Sequence, residues 1–264
     1  MSNYKQLPQN TKGRDFTIGD IHGAYDLLEQ ALAGINFDPH VDRLISVGDL
    51  IDRGPRSKDC LKFLNQPWFH AIKGNHEDLF LQCCDENGNL DRPMAEFNIR
   101  NGMGWIFDEM PETLKAIRKA FINLPVAMDV NTDRGSVGFV HADIPDGMNW
   151  QDFVDAIEND DGKAIQTALW GRSRVSHDVD SGVSGIDRIF FGHTPQADGA
   201  RRLGNCYYID TGAVFRLVQD EPAFHLTCAD IMAGTGTFKQ GRRNSMGVDI
   251  KQNVPSGPFG KYAS

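Results

Sequence analysis

Residues 43–49 of this 264-residue chain read Arg43-Leu44-Ile45-Ser46-Val47-Gly48-Asp49. An apolar run that begins at Leu44 stops abruptly at a glycine, and an acidic residue follows. A run of roughly four to five residues rich in β-branched side chains is typical of a buried strand. The sequence therefore predicts a strand whose C-terminal end carries Asp49.

The same pattern recurs along the chain, and helical patterns lie between the runs. Further strands are predicted at Asp15–Ile18, Phe69–Ile72, Ser136–Val140, Arg188–Phe191 and Cys206–Ile209. Apolar residues spaced three or four apart predict helices at Ala24–Ala33, Ser57–Leu64 and Pro111–Leu124. Strands that alternate with helices indicate an α/β fold. A turn is predicted at Asp129–Gly135.

Composition and charge exclude several classes of protein. Hydrophobic residues make up 40% and charged residues 24% of the chain, as in soluble globular proteins. No run approaches the roughly 18 apolar residues that span a membrane, and residues 1–14 are too polar for a secretory signal. The net charge of −9 argues against binding to a nucleic-acid backbone. Five cysteines without a C-x-x-C pair indicate reduced thiols, so we expect a cytoplasmic protein.

The chain is predicted to divide into a catalytic domain and a tail. Residues 1–228 contain every predicted strand and helix, and they are long enough to bury a sizeable core. Residues 229–264 are rich in glycine, lack strong periodicity and carry five basic against two acidic residues. This composition predicts a flexible C-terminal extension.

Polar residues that can bind metals follow five of the predicted strands. They are Asp20, His22, Asp49, Asn75, His141 and His193. Ligands in open α/β sheets bind beyond the C-terminal ends of strands, where such residues would converge. Mixed imidazole and carboxylate ligands suit Mn, Fe or Zn ions. Six ligands are too many for one tetrahedral zinc, so we predict two ions that share the carboxylate of Asp49.

The sequence lacks the motifs of several other classes of enzyme. No cysteine is followed by an arginine six residues later, which excludes a cysteine-dependent phosphatase. The chain also lacks the G-x-S-x-G, G-x-x-x-x-G-K-[ST] and H-E-x-x-H motifs. The polar strand ends therefore remain the best indication of chemistry.

The ordered set of motifs resembles the calcineurin-like metallophosphoesterase superfamily, in its phosphoprotein phosphatase branch with phage and enterobacterial members. The motifs are Asp20-Ile21-His22, Gly48-Asp49-Leu50-Ile51-Asp52-Arg53-Gly54, Gly74-Asn75-His76-Glu77, His141 and Gly192-His193-Thr194. The similarity runs from about Phe16 to Phe215. The resemblance implies a central mixed β-sandwich flanked by helices in four layers.

The resemblance also implies a role for each motif residue. Asp20, His22 and Asp49 would bind one metal, and Asp49, Asn75, His141 and His193 the other, with Mn²⁺ expected and Fe or Zn as alternatives. A metal-bridging hydroxide would attack phosphorus directly, without a covalent intermediate. His76 would be the general acid, oriented by Asp52. Arg53 would bind the phosphate together with Arg172, for which Arg174 is the alternative.

The implied activity is hydrolysis of phosphoserine and phosphothreonine, and by extension phosphotyrosine or small phosphomonoesters, by a monomer that acts on phosphoproteins. A symmetrical bis(5'-nucleosyl)-tetraphosphate hydrolase is the enzymatic alternative, because it shares the metal motifs. That branch more often has Asp at the position of Glu77 and Gly at the position of Asp143. A binding module without catalytic activity is a further alternative.

Four further residues, in or outside the motifs, each have a separate expected role. Glu77 is expected to stabilise the first turn of a helix. Asp143 either contacts solvent in the site or caps a turn. Trp105 either packs in the core or lines the substrate groove. Asp210 is expected to orient a metal-binding histidine.

Overall fold

Two mixed β-sheets pack face to face in the computed structural model, which describes residues 2–220, 223–232, 237–242 and 245–251. The strands are β1 Tyr4–Leu7, β2 Asp15–Ile18, β3 Arg43–Ser46, β4 Phe69–Ala71, β5 Ala127–Thr132, β6 Gly135–Val140, β7 Arg188–Phe191, β8 Arg201–Leu203, β9 Cys206–Tyr208, β10 Leu226–Asp230, β11 Thr237–Arg242 and β12 Ser245–Lys251. One sheet has the order β1-β5-β6-β7-β9-β8, and the other has the order β12-β11-β10-β2-β3-β4. The pairs β2–β3, β3–β4, β6–β7 and β7–β9 are parallel, so the C-terminal ends of these strands share an edge of their sheet.

Helices cover the outer face of each sheet. They are α1 Tyr25–Gly34, α2 Cys60–Leu64, α3 Asn75–Cys83, α4 Arg92–Phe97, α5 Pro111–Phe121, α6 Trp150–Glu158, α7 Gly162–Trp170, α8 Ser173–Ser176 and α9 Ala213–Val218. Short 3₁₀ helices occupy Ser57–Asp59, Asn98–Asn101 and Met103–Asp108. None of the helices in these described ranges has the length and apolar character that crossing a bilayer requires.

Buried residues on both faces of the central strands explain the layered arrangement. On β3, Leu44 packs with the core under α1, α3 and α5, whereas Ile45 faces the space between the sheets. On β7, Phe190 faces that same space, and Ile189 packs with α6 and α7. Successive side chains of a strand point to opposite faces, so a run that is apolar throughout is covered on both sides. The predicted four-layer α/β fold with a central mixed sandwich is confirmed.

The predicted strands and helices are present, but the turn predicted at Asp129–Gly135 is shorter than expected and consists of residues 133 and 134. Strand β5 continues through Thr132, and β6 begins at Gly135. Asp129 is buried in β5, where its Oδ2 accepts hydrogen bonds from Tyr4 Oη at 2.7 Å and Trp150 Nε1 at 3.2 Å. Because β5 pairs with strands on both sides, sheet formation overrides the low strand propensity of aspartate and asparagine.

The structure continues the second sheet past the predicted boundary between domain and tail at residue 229. Strand β10 continues to Asp230 and pairs with β2, and the side chains of Ala229 and Ile231 are buried between the sheets. Two segments of the predicted tail form the strands β11, which pairs with β10, and β12, which pairs with β11. The remaining residues of the predicted tail beyond Met232 lie outside the described residues.

Candidate metal centre

The six predicted metal ligands converge at the C-terminal edge of the two sheets. Asp20 and His22 follow β2, Asp49 follows β3, Asn75 begins α3, His141 follows β6 and His193 follows β7. All six side chains are buried. The loops after parallel strands therefore bring together residues that are up to 173 positions apart in the chain.

Asp49 lies between two groups of possible ligands. Its Oδ2 is 3.4 Å from His22 Nε2, and its Oδ1 is 3.4 Å from His141 Nε2. The ligand atoms of His22, Asp49 and His76 lie within 4.8 Å of one another, and so do those of Asp49, His141 and His193. One carboxylate can thus serve two cations.

Asn75 completes the second group, and Asp20 of the first group contacts the backbone of the same loop. Asn75 Oδ1 is 2.9 Å from His141 Nε2 and 2.8 Å from His193 Nδ1. The backbone N–H of His193 donates to Asp20 Oδ2 at 3.0 Å, which joins the loop after β7 to the loop after β2. The amide oxygen of Asn75 is thus placed where it and two imidazoles could bind the same ion.

The backbone at this edge is in unusual conformations. His22, Asp49, Asp52, Arg53 and His193 have positive φ angles of 45°, 52°, 73°, 66° and 66°. Residues other than glycine rarely adopt positive φ angles. Such strained backbone is common at functional sites, where the surrounding contacts stabilise it. Tight packing is evident here, because a Cβ atom on Gly74 would lie 2.3 Å from Asp49 Oδ1.

Hydrogen bonds to backbone carbonyls fix two histidine rings. His22 Nδ1 is 2.8 Å from Ile51 O, and His141 Nδ1 is 2.7 Å from Val47 O. A carbonyl only accepts, so each Nδ1 carries the hydrogen, and each Nε2 faces Asp49. Burial lowers the pKa of His22, and the neighbouring His76 and Arg53 lower it further. His22 therefore presents an unprotonated Nε2, as a metal ligand must.

The buried carboxylates of this site would be stabilised by bound cations. Burial raises the pKa of Asp20, and the carboxylates of Asp210 and Asp49 raise it further. Burial also raises the pKa of Asp210, to about 6. Burial alone would raise the pKa of Asp49 as well, but His141 and His76 bring it well below its usual range. Buried anions at such close quarters are stable when cations accompany them, and the mixed nitrogen and oxygen donors fit divalent ions.

Beside the candidate metal ligands, His76 forms a pair with a buried aspartate. Its Nδ1 donates to Asp52 Oδ2 at 2.6 Å, and its Nε2 is 3.0 Å from Arg53 Nη2. Burial lowers the pKa of His76, but the carboxylates of Asp49 and Asp52 outweigh burial and raise it overall. Arg53 also approaches the first ligand group, since its Nη1 is 2.7 Å from His22 Nε2. The structure thus brings together the predicted acid, its orienting carboxylate and one predicted phosphate-binding arginine.

The structure separates the two candidates for the second arginine. Arg172 Nε donates to His193 Nε2 at 3.1 Å, which places this guanidinium at the site. Arg174 is buried away from it, with Nε 3.6 Å from Asp143 Oδ1 and Nη1 directed at Gly182 O. The geometry therefore supports Arg172.

Asp143 and Glu77 organise the loops around the ligands. Asp143 is buried, and its Oδ2 accepts from the backbone N–H of Arg174 at 2.9 Å, so its contacts are those of a cap. Glu77 accepts from the backbone N–H of Gly74 at 2.8 Å, which confirms that it stabilises the first turn of α3. It also accepts from the N–H groups of Asp49 and Leu50 at 2.9 and 2.8 Å, a contact that the sequence did not predict.

Asp210 differs from the sequence-based interpretation, whereas Trp105 packs against the core and makes an additional contact. Asp210 Oδ1 accepts from the backbone N–H of Gly212 at 2.8 Å, and no hydrogen bond between its carboxylate and a histidine ring is present within the described ranges. Trp105 is half-buried, and its Nε1 donates to Asp52 Oδ1 at 2.7 Å. Trp105 and Asp52 are 53 positions apart, so no local pattern indicates this contact.

Comparison with protein families places the chain in one of them. A family model for calcineurin-like phosphoesterases matches residues 16–197, which is more than half of the chain. The chain belongs to the calcineurin-like phosphoesterase family. The predicted family and enzyme class are therefore confirmed, and the phosphoesterase is expected to use divalent metal ions as its family does.

Three relatives with curated names match different fractions of this chain. Serine/threonine-protein phosphatase 1 of Salmonella typhimurium is 34% identical over 218 residues, which are 80% of this chain and 92% of the relative. Serine/threonine-protein phosphatase 2 of Escherichia coli is 35% identical over 217 residues, with the same shares. The symmetrical bis(5'-nucleosyl)-tetraphosphatase of Actinobacillus succinogenes is 42% identical, but over 71 residues that make up 26% of each chain.

A solved structure supports the fold of the phosphoesterase. The protein serine/threonine phosphatase from Saccharomyces cerevisiae with similarity to human PP5 superposes with a TM-score of 0.54 at 18% identity. The match covers 93% of this chain and 81% of the yeast chain. At this identity the likeness concerns the fold alone.

Proposed function

We propose that this protein is a dinuclear-metal phosphatase that removes phosphate from phosphoserine and phosphothreonine residues of proteins. The observation that carries the proposal is the extent of similarity. Two enterobacterial enzymes named as serine/threonine-protein phosphatases match over 92% of their length, whereas the tetraphosphatase matches over 26%. These matches extend well beyond the metal motifs, and substrates are selected by contacts outside such motifs.

The metal ligands of the proposed enzyme are the six residues of the candidate centre. Asp20, His22 and Asp49 would hold one ion, and Asp49, Asn75, His141 and His193 the other. Two divalent ions, which we propose to be Mn²⁺, would polarise the phosphoryl oxygens and supply a hydroxide nucleophile at neutral pH. The buried carboxylates and the fixed histidine tautomers prepare the site for them.

Two arginines would bind the oxygens of the phosphate group. Arg53 contacts His22 and His76 beside the first ligand group, and Arg172 contacts His193 beside the second. Their guanidinium groups therefore approach the centre from its two ends. A guanidinium stays charged and its planar N–H groups match the geometry of phosphate oxygens.

His76 would protonate the leaving serine or threonine oxygen. Its Nδ1 is held by Asp52, so Nε2 is the nitrogen that faces the Arg53 guanidinium and hence the position proposed for phosphate. Displacement at phosphorus proceeds in line, so a proton donor near the leaving oxygen complements a nucleophile on the opposite side. No side chain is required as a nucleophile.

A comparison of substrates tests the proposed function. We expect the Mn²⁺-loaded enzyme to hydrolyse phosphoserine and phosphothreonine peptides with a higher kcat/KM than diadenosine tetraphosphate, because the similarity to the tetraphosphatase is confined to 71 residues. Phosphate release from the phosphopeptides and formation of ADP from diadenosine tetraphosphate, measured at equal enzyme and metal concentrations, decide between the two activities. Preference for diadenosine tetraphosphate would support the alternative, and inactivity toward all phosphoesters would contradict both.

Separate substitutions of the two arginines test the phosphate site. Arg172→Ala is expected to lower kcat/KM by about 10²-fold, the scale for loss of a charged group that stabilises the transition state, while the protein stays fully stable. Arg174→Ala leaves the buried carboxylate of Asp143 without its ionic partner, so we expect it to lower the free energy of unfolding by about 3 kcal/mol. Urea unfolding and phosphopeptide kinetics on both variants measure the difference. The reverse pattern would assign the phosphate to Arg174.

A further inference from the structure

We propose that Trp105 is a positioning residue for proton donation by His76 and that it acts through the carboxylate of Asp52. The inference rests on the proposed function, because it takes His76 as the proton donor. Trp105 Nε1 lies 2.7 Å from Asp52 Oδ1, and His76 Nδ1 lies 2.6 Å from Asp52 Oδ2. Two N–H donors thus hold the two oxygens of one carboxylate.

Because Asp52 is buried, its hydrogen bond with the indole affects the orientation of its carboxylate. The Asp52 side chain is 0% exposed, so each of its oxygens requires a donor from the protein. The indole nitrogen of tryptophan only donates, and its hydrogen bond therefore fixes the plane of the carboxylate. Fixing that plane directs Oδ2 at His76 Nδ1 and holds the imidazole in one orientation. Without the indole, the carboxylate could rotate and the imidazole would follow.

Trp105 is itself held by elements of the site. Its ring stacks on Phe80, with centroids 6.2 Å apart and an interplanar angle of 8°. Phe80 lies one turn after His76 on α3. Trp105 belongs to the 3₁₀ helix Met103–Asp108, which follows Gly102, and Gly102 O accepts from the backbone N–H of Arg53 at 3.1 Å. The segment that carries the indole therefore also fixes the backbone of Arg53.

A second tryptophan provides a matched control. Trp150 Nε1 donates to Asp129 Oδ2 at 3.2 Å, and both side chains are buried between α6 and β5. Trp150→Phe and Trp105→Phe each remove one indole hydrogen bond to a buried aspartate and keep an aromatic ring. Trp105 contacts Asp52, the partner of His76, whereas Trp150 contacts an aspartate outside the candidate site.

The experiment compares two leaving groups. The alkoxide of phosphoserine needs a proton as it leaves, whereas p-nitrophenolate is stable without one. We expect Trp105→Phe to lower the ratio of kcat on a phosphoserine peptide to kcat on p-nitrophenyl phosphate by about 10-fold, the lower end of the range for loss of an outer hydrogen-bond partner. The KM values and the bound metal should not change. Trp150→Phe should leave the ratio at its wild-type value.

Two outcomes overturn the proposal and are distinguishable from failure of the proposed function. Equal losses on both substrates, or a change confined to KM, mean that Trp105 only supports packing. His76→Asn serves as the reference: if it lowers the ratio and Trp105→Phe does not, the role of Trp105 alone is wrong. If His76→Asn does not lower the ratio either, the acid assignment fails, and the proposal for Trp105 fails with it.

A second measurement covers the case in which Trp105→Phe does not fold. The indole N–H resonance of Trp105 in the wild-type protein should lie downfield, exchange slowly with water and lose both properties in Asp52→Ala, which removes the accepting oxygen. A rapidly exchanging resonance that Asp52→Ala leaves in place would overturn the proposal.

Discussion

Asp49→Asn is expected to remove both bound metal and phosphatase activity while the protein remains folded. The carboxylate of Asp49 lies 3.4 Å from a ring nitrogen of His22 on one side and 3.4 Å from a ring nitrogen of His141 on the other. Loss of its charge therefore weakens both cation positions. Metal ions contribute several kcal/mol of transition-state stabilisation, so we expect kcat to fall by roughly 10³-fold or more. Asparagine retains an oxygen that can accept from the backbone N–H of His76, which preserves the loop.

Metal analysis after dialysis, kcat on a phosphopeptide and thermal unfolding together test this expectation. Asp129→Asn is the control, because Asp129 is also buried and hydrogen-bonded but lies outside the candidate site. It should retain the wild-type metal content and activity. Two tightly bound ions in Asp49→Asn would contradict the bridging role of this carboxylate.

The parts of the fold that follow from local patterns were predictable. Strands such as β3 and β7 are apolar along their whole length because both of their faces are covered. Strand β1, Tyr4–Leu7, has the largely polar sequence YKQL and was not predicted. It exists because it pairs in parallel with β5, which lies more than a hundred residues away. Such pairing depends on the tertiary structure and leaves little trace in the local sequence.

Helix α6 was missed although it carries readable signals. Trp150, Phe153 and Ile157 have helical spacing and face the core, and the Asn149 side chain caps the helix by accepting from the backbone N–H of Asp152. An asparagine followed by apolar residues at this spacing is a usable start signal. The turn predicted at Asp129–Gly135 is too long, because the polar residues Asp129 and Asn131 lie in β5.

The residues of the candidate site that lie at strand ends were predictable from the sequence. The features of the site that depend on long-range contacts were not. The strand ends identify Asp20, Asp49 and His193 from the chain alone. The choice between Arg172 and Arg174 depends on the short helix α8, which buries Arg174 against Asp143. The positive φ angles at the site are likewise set by the surrounding contacts and by no local motif. Sequence patterns therefore identify the candidate ligands, whereas the contacts that support them require the structure.

His76→Asn tests whether His76 donates a proton or binds metal. Metal binding is also possible, because the ring nitrogen of His76 lies close enough to the ligand atoms of His22 and Asp49 to share an ion with them. His76 Nδ1 donates to Asp52 Oδ2 at 2.6 Å, an arrangement that suits a metal-binding histidine as well as a proton donor, and His76 Nε2 lies 3.9 Å from the nearer oxygen of Asp49. The experiment therefore has to separate the two roles. An asparagine at this position could still donate to Asp52, so the loop should remain folded.

For a proton donor, we expect kcat on a phosphoserine peptide to fall by about 10²–10⁴-fold, the usual scale for general acid catalysis. The loss on p-nitrophenyl phosphate should be much smaller, because its leaving group needs no proton, and both metal ions should remain bound. Metal analysis and the two kcat values can be obtained on the same preparation. Loss of one ion with equal losses on both substrates would instead make His76 a metal ligand. The Asp52 carboxylate would then orient a ligand, and the proton for the leaving group would have to come from another residue.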